Sequence, residues 1–458
     1  MTTSPLLPLT AADLPPLAPE LVLIGSAFAL MILDLFVSNR NKIVTHLFSL
    51  AALAVVLFML ATGVGGQGEV FHGMFVRDTA ADVMKTGIVL LSGLTLVYGW
   101  RYLRDRNLFQ GEIPVLILFG TAGMMILVSA GSLLMVYLGL ELLALCSYAL
   151  VASNRENGLA SEAAMKYIVL GSLASGLLLY GMSLIYGATG SLHLDVIRDA
   201  IPHSEERVLL ITGAVFMIAG VAFKLGAAPF HMWLPDVYQG APAPIALFIS
   251  SAPKLAAFGM AYRLLEMGVG PLSTELQLLI AGLAAVSLVI GNLMAIAQSN
   301  LKRMLAFSTV SHIGFLLMGI AGGGAQGYAA ALFYALATPS CPPPPSARSS
   351  RCRVPVSKPR TSRTSRASMP ATRGWPAWCC ASWRRWPAFR RSWASGPSWR
   401  CWARPSTVAC CGWPSSACCV PWSAASTTCA SSRSCTSMSR WARPCRAATT
   451  ACWAWCWA

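Results

Sequence analysis

Four ionisable side chains stand inside long apolar stretches of this 458-residue sequence, where a charged group is costly. They are Glu141 in MVYLGLELLALCSYALV, Lys224 in GVAFKLGAAPFHMWLPD, Lys254 in ALFISSAPKLAAF and His312 in MLAFSTVSHIGFLLMG. A carboxylate, two amines and an imidazole can pass protons among themselves. We therefore predict that the four residues form a proton relay. The alternative is structural, with Glu141 and His312 only making hydrogen bonds to a neighbouring helix.

The sequence after Lys224 predicts an interrupted helix. Prolines and glycines follow Lys224 at positions 226, 229, 235, 240, 242 and 244, and Lys254 directly follows Pro253. A broken helix frees backbone groups, which only protein or water can satisfy inside a membrane. At about 4 Å and an effective dielectric of about 20, a carboxylate–ammonium pair is worth about 4 kcal/mol. Making and breaking such a pair is enough to load and release a proton.

Other ionisable residues lie near the predicted helix ends. Lys302 and Arg303 are expected to snorkel, so that their charged heads reach the membrane surface. Lys166 is similarly placed near the start of a span, and its role is open. His231 and Asp236, in the broken segment, either cap backbone groups or line a cavity.

Composition predicts an all-α, polytopic bundle of transmembrane helices. The chain is 55% hydrophobic and 11% charged, with a mean hydropathy of +0.59. An eleventh apolar run begins near 326, after ten runs long enough to cross a bilayer. Those ten runs lie near 20–38, 43–62, 82–100, 113–130, 132–152, 163–187, 207–227, 243–265, 275–297 and 304–321.

Loop charges predict the orientation of these spans. Alternate loops carry the basic residues Arg40, Lys42, Arg101, Arg104, Arg106, Arg155, Lys302 and Arg303. By the positive-inside rule that side is cytoplasmic, which leaves the N-terminus outside. The opposite loops carry acidic residues, in agreement with this assignment.

The last 120 residues have a different composition from the rest. Residues 1–338 hold all 18 acidic residues and 16 of the 34 Lys and Arg, so the whole net charge excess of +16 comes from the tail. The tail also holds 14 of 15 cysteines and 13 of 15 tryptophans, and it has no leucine. The basic excess is therefore no sign of a nucleic-acid partner.

A shifted reading frame accounts for this composition. In a G+C-rich gene, leucine codons read one base ahead become Trp or Cys codons, and back-reading three windows gives plausible membrane protein. Gly374–Ser398, for example, decodes as GLAGLVLRLMASLAGVPPFLGFWAK. We predict a transmembrane domain over 1–337 and an out-of-frame, poorly organised segment over 338–458. The alternatives are a disordered basic arm that binds nucleic acid or lipid, and a cysteine-rich metal or disulfide domain.

No motif for a redox cofactor is apparent in the in-frame part. It shows no Gly-rich phosphate loop, no cysteine cluster and no Ser/His/Asp arrangement that could be placed with confidence. The sequence therefore predicts that this chain binds neither a cofactor nor a metal.

Two segments carry a family resemblance. KLGAAPFHMWLPDVYQGAPAPIALFISSAPKLAAF and NLKRMLAFSTVSHIGFLLMG resemble the antiporter-like membrane subunits of respiratory complex I, most of all those of the subunit N type. The resemblance covers nearly all of residues 15–338. It implies a family fold of about fourteen helices with two inverted five-helix repeats, each with a broken helix, of which ten or eleven helices remain here.

The resemblance also implies roles and partners. Glu141, Lys224, Lys254 and His312 correspond to the groups that form a polar axis for proton translocation in the family. NADH, FMN, iron–sulfur clusters and quinone are expected on partner subunits, beside other membrane subunits of the complex in the bacterial inner membrane. Two alternatives are a stand-alone Mrp-type cation/proton antiporter, which shares these motifs, and a non-functional frameshift product.

Overall fold

The computed structural model describes residues 14–37, 42–106 and 108–338. The predictions for residues 339–458, including their poor organisation, lie outside the described residues. The first seven helices are α1 Ala18–Phe36, α2 Ile43–Thr62, α3 Thr79–Asp105, α4 Glu112–Val128, α5 Leu133–Val151, α6 Gly158–Thr189 and α7 Leu194–Ala200. The next seven are α8 Arg207–Leu225, α9 Trp233–Gly240, α10 Ala243–Ser250, α11 Ala252–Ala261, α12 Ser273–Ile296, α13 Leu301–Ala321 and α14 Gly324–Ala337.

The predicted membrane spans are confirmed as helices. In the described part of the chain, nine helices are long and apolar enough to cross a membrane, and Glu112–Val128 is a shorter apolar helix. Together these correspond to the ten predicted runs, and α14 begins where the eleventh was expected. Helices α3 and α6 extend beyond their predicted runs, since α3 covers 79–105 instead of 82–100 and α6 covers 158–189 instead of 163–187.

The helices run back and forth between two ends, which we call the hairpin end and the basic end. At the hairpin end, strands β1 Gly68–Val70 and β2 Phe75–Arg77 pair antiparallel between α2 and α3. This hairpin is bonded to the α4–α5 connection, because the Val76 amide donates to the Ser129 carbonyl at 2.8 Å. The basic end holds the opposite loops, with Lys42, Arg106 and Arg155 among their residues.

Two interruptions lie within the bundle, and the sequence predicted only the first of them. The first separates α8 from α9, and α8 ends at Gly226 in the left-handed conformation with φ of 88°. The second separates α10 from α11 at Ser251, whose φ and ψ are −115° and −84°. The predicted span 243–265 is therefore two short helices, continued by a π-helical turn over Tyr262–Gly268.

Small residues bring α4 and α5 close together. A Cβ added to Gly123 would lie 2.9 Å from the Leu143 amide nitrogen, and one on Gly139 would lie 2.8 Å from that of Leu127. Helices in membranes commonly approach through such small residues, because apolar burial gives little drive for association there. This contact fixes the rotation of α5, which carries Glu141.

Candidate functional site

Glu141 lies at the middle of α5 and is partly buried. Two residues turn an α-helix by about 200°, so Glu141 faces away from the α4 contact made at Gly139. Among the described residues, no hydrogen bond reaches its buried Oε1 atom. The carboxylate can therefore respond to a proton or to a nearby cation.

Lys224 lies in the last turn of α8, within electrostatic range of Glu141. The carbonyl groups at a helix C-terminus carry partial negative charge, which stabilises a cation at this position. In the described part of the chain, no ion pair within 4.0 Å joins the Lys224 ammonium to the Glu141 carboxylate. The two groups are therefore within electrostatic range of each other without forming an ion pair.

The backbone freed at the first interruption is satisfied by polar partners. The Trp233 indole Nε1 donates to the Phe223 carbonyl at 3.0 Å. The Ala228 amide donates to the Ser287 hydroxyl on α12 at 2.9 Å. Because such groups are costly when unpaired in a membrane, these bonds hold the break open at a defined geometry.

Lys254 lies in the first turn of α11, directly after the interruption at Ser251. Its Nζ donates to the Thr309 hydroxyl on α13 at 3.2 Å. The same nitrogen lies 5.9 Å from the ring centroid of Tyr238 on α9, within the range of a cation–π contact. Among the described residues no carboxylate forms an ion pair with Lys254, so a hydroxyl and a ring face are its neighbours.

His312 follows Thr309 by one turn on α13 and lies within electrostatic range of Lys254. Its Nδ1 is 2.7 Å from the hydroxyl of Tyr334 on α14. This is the hydrogen bond to a neighbouring helix that the structural alternative required, although an imidazole held by a tyrosine can still accept a proton at Nε2. The role of His312 in a relay stays a prediction.

The four predicted residues are thus brought together as two pairs, and aromatic residues of α9 lie near both pairs. Tyr148, within electrostatic range of Glu141, packs edge-on against Tyr167 with ring centroids 4.7 Å apart. Tyr167 stacks on Trp233 at 4.7 Å, at the start of α9. Tyr238, near the other end of α9, faces the second lysine. No hydrogen bond or ion pair between described residues joins the two pairs directly. Helices α8 and α11, which carry the two lysines, contact each other, and the aromatic residues of α9 provide a second connection.

Asp236 fixes α9 at the basic end between α6 and α13. Its Oδ2 accepts a hydrogen bond from Lys166 Nζ at 3.0 Å, and its Oδ1 accepts one from Arg303 Nη1 at 2.5 Å. Partial burial opposes ionisation, but the hydrogen bonds and charges of Lys166 and Arg303 outweigh it and lower the pKa of Asp236. We call this group of three residues the Asp236 clasp.

The contacts of the Asp236 clasp and of the residues near it differ from several predictions. Snorkelling is wrong for Lys302 and Arg303, because both reach toward the broken segment. Lys302 Nζ donates to the Ala241 carbonyl at 2.8 Å, just after the end of α9. Asp236 binds two cations, and no backbone group among the described residues donates to its carboxylate. His231 packs edge-on against Phe307, with ring centroids 6.0 Å apart.

Sequence reasoning missed a group of charged residues near the hairpin end. Three ion pairs join α1, α3, the β-hairpin and the π-helical turn: Glu20 with Lys85, Arg77 with Asp82, and Asp78 with Arg263. One signal could have revealed them, because Lys85 and Arg263 fall within the predicted spans 82–100 and 243–265. An ionisable residue within a span points to a functional role wherever along the span it lies.

Metal-binding side chains do not cluster in the described residues, where no group of three or more His, Cys, Asp or Glu could hold an ion. The ionisable groups of the site come as pairs instead. The chemistry that this arrangement offers is proton exchange between a carboxylate, two amines and an imidazole.

Comparison with known proteins assigns the family. Residues 130–339 match the family described as NADH:quinone oxidoreductase/Mrp antiporter, TM. NADH-quinone oxidoreductase subunit N of Xanthomonas euvesicatoria is 82% identical over 336 residues, which are 73% of this chain and 69% of that protein. The chain belongs to the subunit N family of NADH-quinone oxidoreductase. This confirms the predicted family and makes the chain an antiporter-like membrane subunit of that oxidoreductase.

Solved structures agree with the subunit N assignment. A chain of respiratory complex I from Thermus thermophilus is 33% identical, with a TM-score of 0.58, and the match covers 70% of this chain and 68% of that one. A chain of the Mrp complex from a Dietzia species shares the fold, with a TM-score of 0.60 at 23% identity, over 72% of this chain and 62% of that one. The predicted helical membrane fold is thereby confirmed.

Proposed function

We propose that Glu141, Lys224, Lys254 and His312 carry protons through this subunit, so that electron transfer from NADH to quinone drives proton translocation. One observation carries the proposal: each lysine stands at an interruption of a membrane helix and has a proton acceptor within electrostatic range on a neighbouring helix. Helix interruptions occur inside a membrane only where protein or water surrounds the freed backbone. Such surroundings are also the ones that a moving proton needs.

Forming and breaking an ion pair between Glu141 and Lys224 would change the proton affinity of both groups. At about 4 Å and an effective dielectric of about 20, their attraction would be about 4 kcal/mol. Moving them apart to about 8 Å would halve it, and the lost 2 kcal/mol or so corresponds to roughly a 30-fold change in proton affinity. A displacement of a few ångströms is therefore enough to load or release a proton.

The α9 helix is the element that can change both pairs together. Its first residue, Trp233, bonds to the carbonyl next to Lys224, and Tyr238 further along it faces Lys254. A shift of α9 would alter the surroundings of both lysines at once. We infer that conformational changes driven by redox chemistry elsewhere in the complex act through this helix.

The partners and location of the chain follow from its family and its charges. NADH and quinone appear in the names of its relatives, and we infer that NADH, FMN, iron–sulfur clusters and quinone bind partner subunits, with no cofactor on this chain. Other membrane subunits of the complex are its expected neighbours. Since basic residues collect at one end, we infer a bacterial inner-membrane subunit with the hairpin end and the N-terminus outside.

We infer that residues 1–337 form the proton-translocation domain, with an incomplete second repeat, and that residues 338–458 come from a shifted frame. The family match ends at residue 339, where the composition changes. Resequencing across codon 338 tests this, with one missing base expected. An uninterrupted template would contradict the shift and favour a basic arm. If the shift is present in the gene, we expect the chain as written not to enter active complex.

A stand-alone Mrp-type exchanger is the second candidate, because the fold is shared. The 82% identity to a subunit N favours the oxidoreductase. Affinity purification of the chain from its own membranes distinguishes the two. NADH dehydrogenase activity should co-purify with an oxidoreductase subunit, whereas its absence would favour the exchanger.

The relay itself is tested by charge removal at Glu141 and Lys224. Membrane vesicles are prepared from cells whose only copy of this subunit is encoded by a gene with the reading frame restored after codon 337, and NADH-driven proton uptake is followed with a quenched fluorescent amine. We expect Glu141→Gln and Lys224→Ala each to lower the initial rate of uptake at least tenfold, while the amount of assembled complex stays within twofold. Glu112→Gln is the matched control, since that carboxylate is exposed at the basic end.

Two results would contradict the relay. Proton uptake per NADH equal to that of the unmodified complex in Lys224→Ala would remove that residue from the mechanism. An equal loss of uptake in Glu112→Gln would show that the assay responds to surface charge instead.

A further inference from the structure

The most deeply buried ion pair among the described residues is not used by the proposed relay. Glu20 in the first turn of α1 and Lys85 in the second turn of α3 lie 2.7 Å apart, with side-chain exposures of 1% and 0%. The free energy needed to remove two charges from water can exceed the attraction that they gain by pairing. Ionisable residues inside a membrane therefore point first to function. The pair therefore needs an explanation beyond stability.

The surroundings of the pair leave it free to change its charge state. Glu20 Oε2 accepts no hydrogen bond from any described residue, and Lys85 Nζ has the Phe75 ring on one side at 4.9 Å. A pair kept for structure is usually completed by further hydrogen bonds. Here the carboxylate keeps an unused oxygen, which can take a proton.

The two neighbouring ion pairs differ, because their arginines are bonded to backbone. Arg77 donates to the Val64 carbonyl at 2.8 Å, and Arg263 donates to the Val128 carbonyl at 2.9 Å. These bonds fix both guanidinium groups to helix ends. Arginine also stays protonated in proteins, whereas lysine can lose its proton. Within this group only Lys85 is a cation suited to proton exchange.

Carboxylates lead from the buried pair toward the hairpin end with increasing exposure. The side chain of Asp82, one turn before Lys85 on α3, is 20% exposed, and that of Asp78 at the start of the helix is 35% exposed. Together with Glu20 they form a series that begins in the interior and reaches the surface. A proton leaving Glu20 would find acceptors in that direction.

On the side away from the hairpin end, the Glu20–Lys85 pair lies close to Lys254 in height along the helix axes. Helices α3 and α11 pack side by side, since Gly87 lies against Leu255 and Met84 lies against Gly259. Lys85 is thus level with the first two turns of α11, about one helical turn, or about 6 Å along the axis, from Lys254. The pair stands between the proposed relay and the hairpin end.

We propose that Glu20 and Lys85 form a further proton-exchange site, which links the relay to the hairpin end of the bundle. An N–H bond of the Lys85 ammonium breaks and an O–H bond forms on Glu20, which leaves a neutral amine and a carboxylic acid. The acid then gives its proton to water on the side of Asp82, and the amine takes one from the side of Lys254. The inference rests on the proposed function, because the relay supplies the proton.

The test separates proton exchange from packing by removing both charges at once. Replacing both members of a buried ion pair with neutral groups of similar size is usually tolerated, so Glu20→Gln/Lys85→Met should incorporate into the complex. In NADH-driven vesicles we expect its rate of proton uptake to fall at least tenfold. The charge-swapped variant Glu20→Lys/Lys85→Glu keeps a titratable pair and should recover at least a third of the normal rate.

The exposed ion pair of Arg207 and Glu275 provides a matched control. Arg207→Gln/Glu275→Gln removes an ion pair that is exposed at the hairpin end and should leave uptake unchanged. Normal uptake in Glu20→Gln/Lys85→Met would overturn the proposal. If that variant fails to incorporate, the charge-swapped variant decides, because an assembled but inactive swapped complex would overturn the proposal and an active one would support it.

Lys224→Ala, measured in the same vesicles, keeps the two proposals apart. Loss of uptake in Lys224→Ala with normal uptake in Glu20→Gln/Lys85→Met overturns only the further site. Normal uptake in Lys224→Ala overturns the relay itself.

Discussion

Removing the Asp236 carboxylate should release α9 from the basic end of the bundle. This carboxylate bonds to Lys166 at 3.0 Å and to Arg303 at 2.5 Å, so Asp236→Asn replaces two charge-assisted hydrogen bonds by weaker ones. The side chains of Lys166 and Arg303 are 45% and 33% exposed, and solvent screening therefore reduces both contributions. We allow about 1.5 kcal/mol for the arginine and nothing for the exposed lysine.

This loss of about 1.5 kcal/mol sets the size of the expected effect. If α9 opens locally, that loss makes the open state about tenfold more populated. Hydrogen–deuterium exchange of peptides covering residues 233–240, measured by mass spectrometry on the purified complex, should speed up by that factor in Asp236→Asn. Exchange in α4, which does not contact the clasp, should be unchanged.

A matched variant shows whether the faster exchange over residues 233–240 comes from loss of the clasp or from the change in net charge. Asp105→Asn removes a carboxylate that is exposed at the same end of the bundle, and its exchange over 233–240 should equal that of the unmodified protein. Exchange in Asp236→Asn within threefold of normal would refute the reasoning, since the clasp would then contribute little to holding α9.

Two further predictions concern the interruptions. Gly226→Ala places a side chain at φ of 88° and against Leu234, so we expect a loss of about 1 to 3 kcal/mol and a lower unfolding temperature by intrinsic fluorescence. Gly25→Ala has open space around its Cβ and should unfold normally; equal unfolding temperatures in the two variants would contradict the strain argument. Thr309→Val removes the hydroxyl that Lys254 bonds, and we expect NADH-driven proton uptake to fall about fivefold. The exposed Thr212→Val is its control, and full uptake in Thr309→Val would show that this hydrogen bond is dispensable.

Much of the bundle could be predicted from local sequence. Apolar runs of membrane length mark the spans because an isolated backbone in lipid must form helix. The prolines after Lys224 mark the first interruption, since proline lacks an amide hydrogen and clashes with the preceding turn. The second interruption, at Ser251, was not predicted, because residues 243–265 form one apolar run. Glu141, Lys224, Lys254 and His312 could be found because each is an ionisable residue in an apolar stretch.

The pairing of these residues could not be predicted in the same way. The side chain of His312 bonds to Tyr334 on the next helix, and Lys254 bonds to Thr309, 55 residues away. Snorkelling was predicted for Lys302 because it lies near a predicted helix end. The structure instead shows its ammonium donating to the Ala241 carbonyl.

The sequence by itself determined which segments are helices, where the helix of Lys224 breaks and which ionisable residues fall inside apolar stretches. These are local properties, because hydrophobicity, proline geometry and side-chain chemistry act within a few residues. Only the tertiary structure decided that Glu20 meets Lys85 and that Asp236 binds both Lys166 and Arg303. The partners in each case lie on different helices, and helix packing, which depends on the shapes of whole surfaces, determines which charges meet.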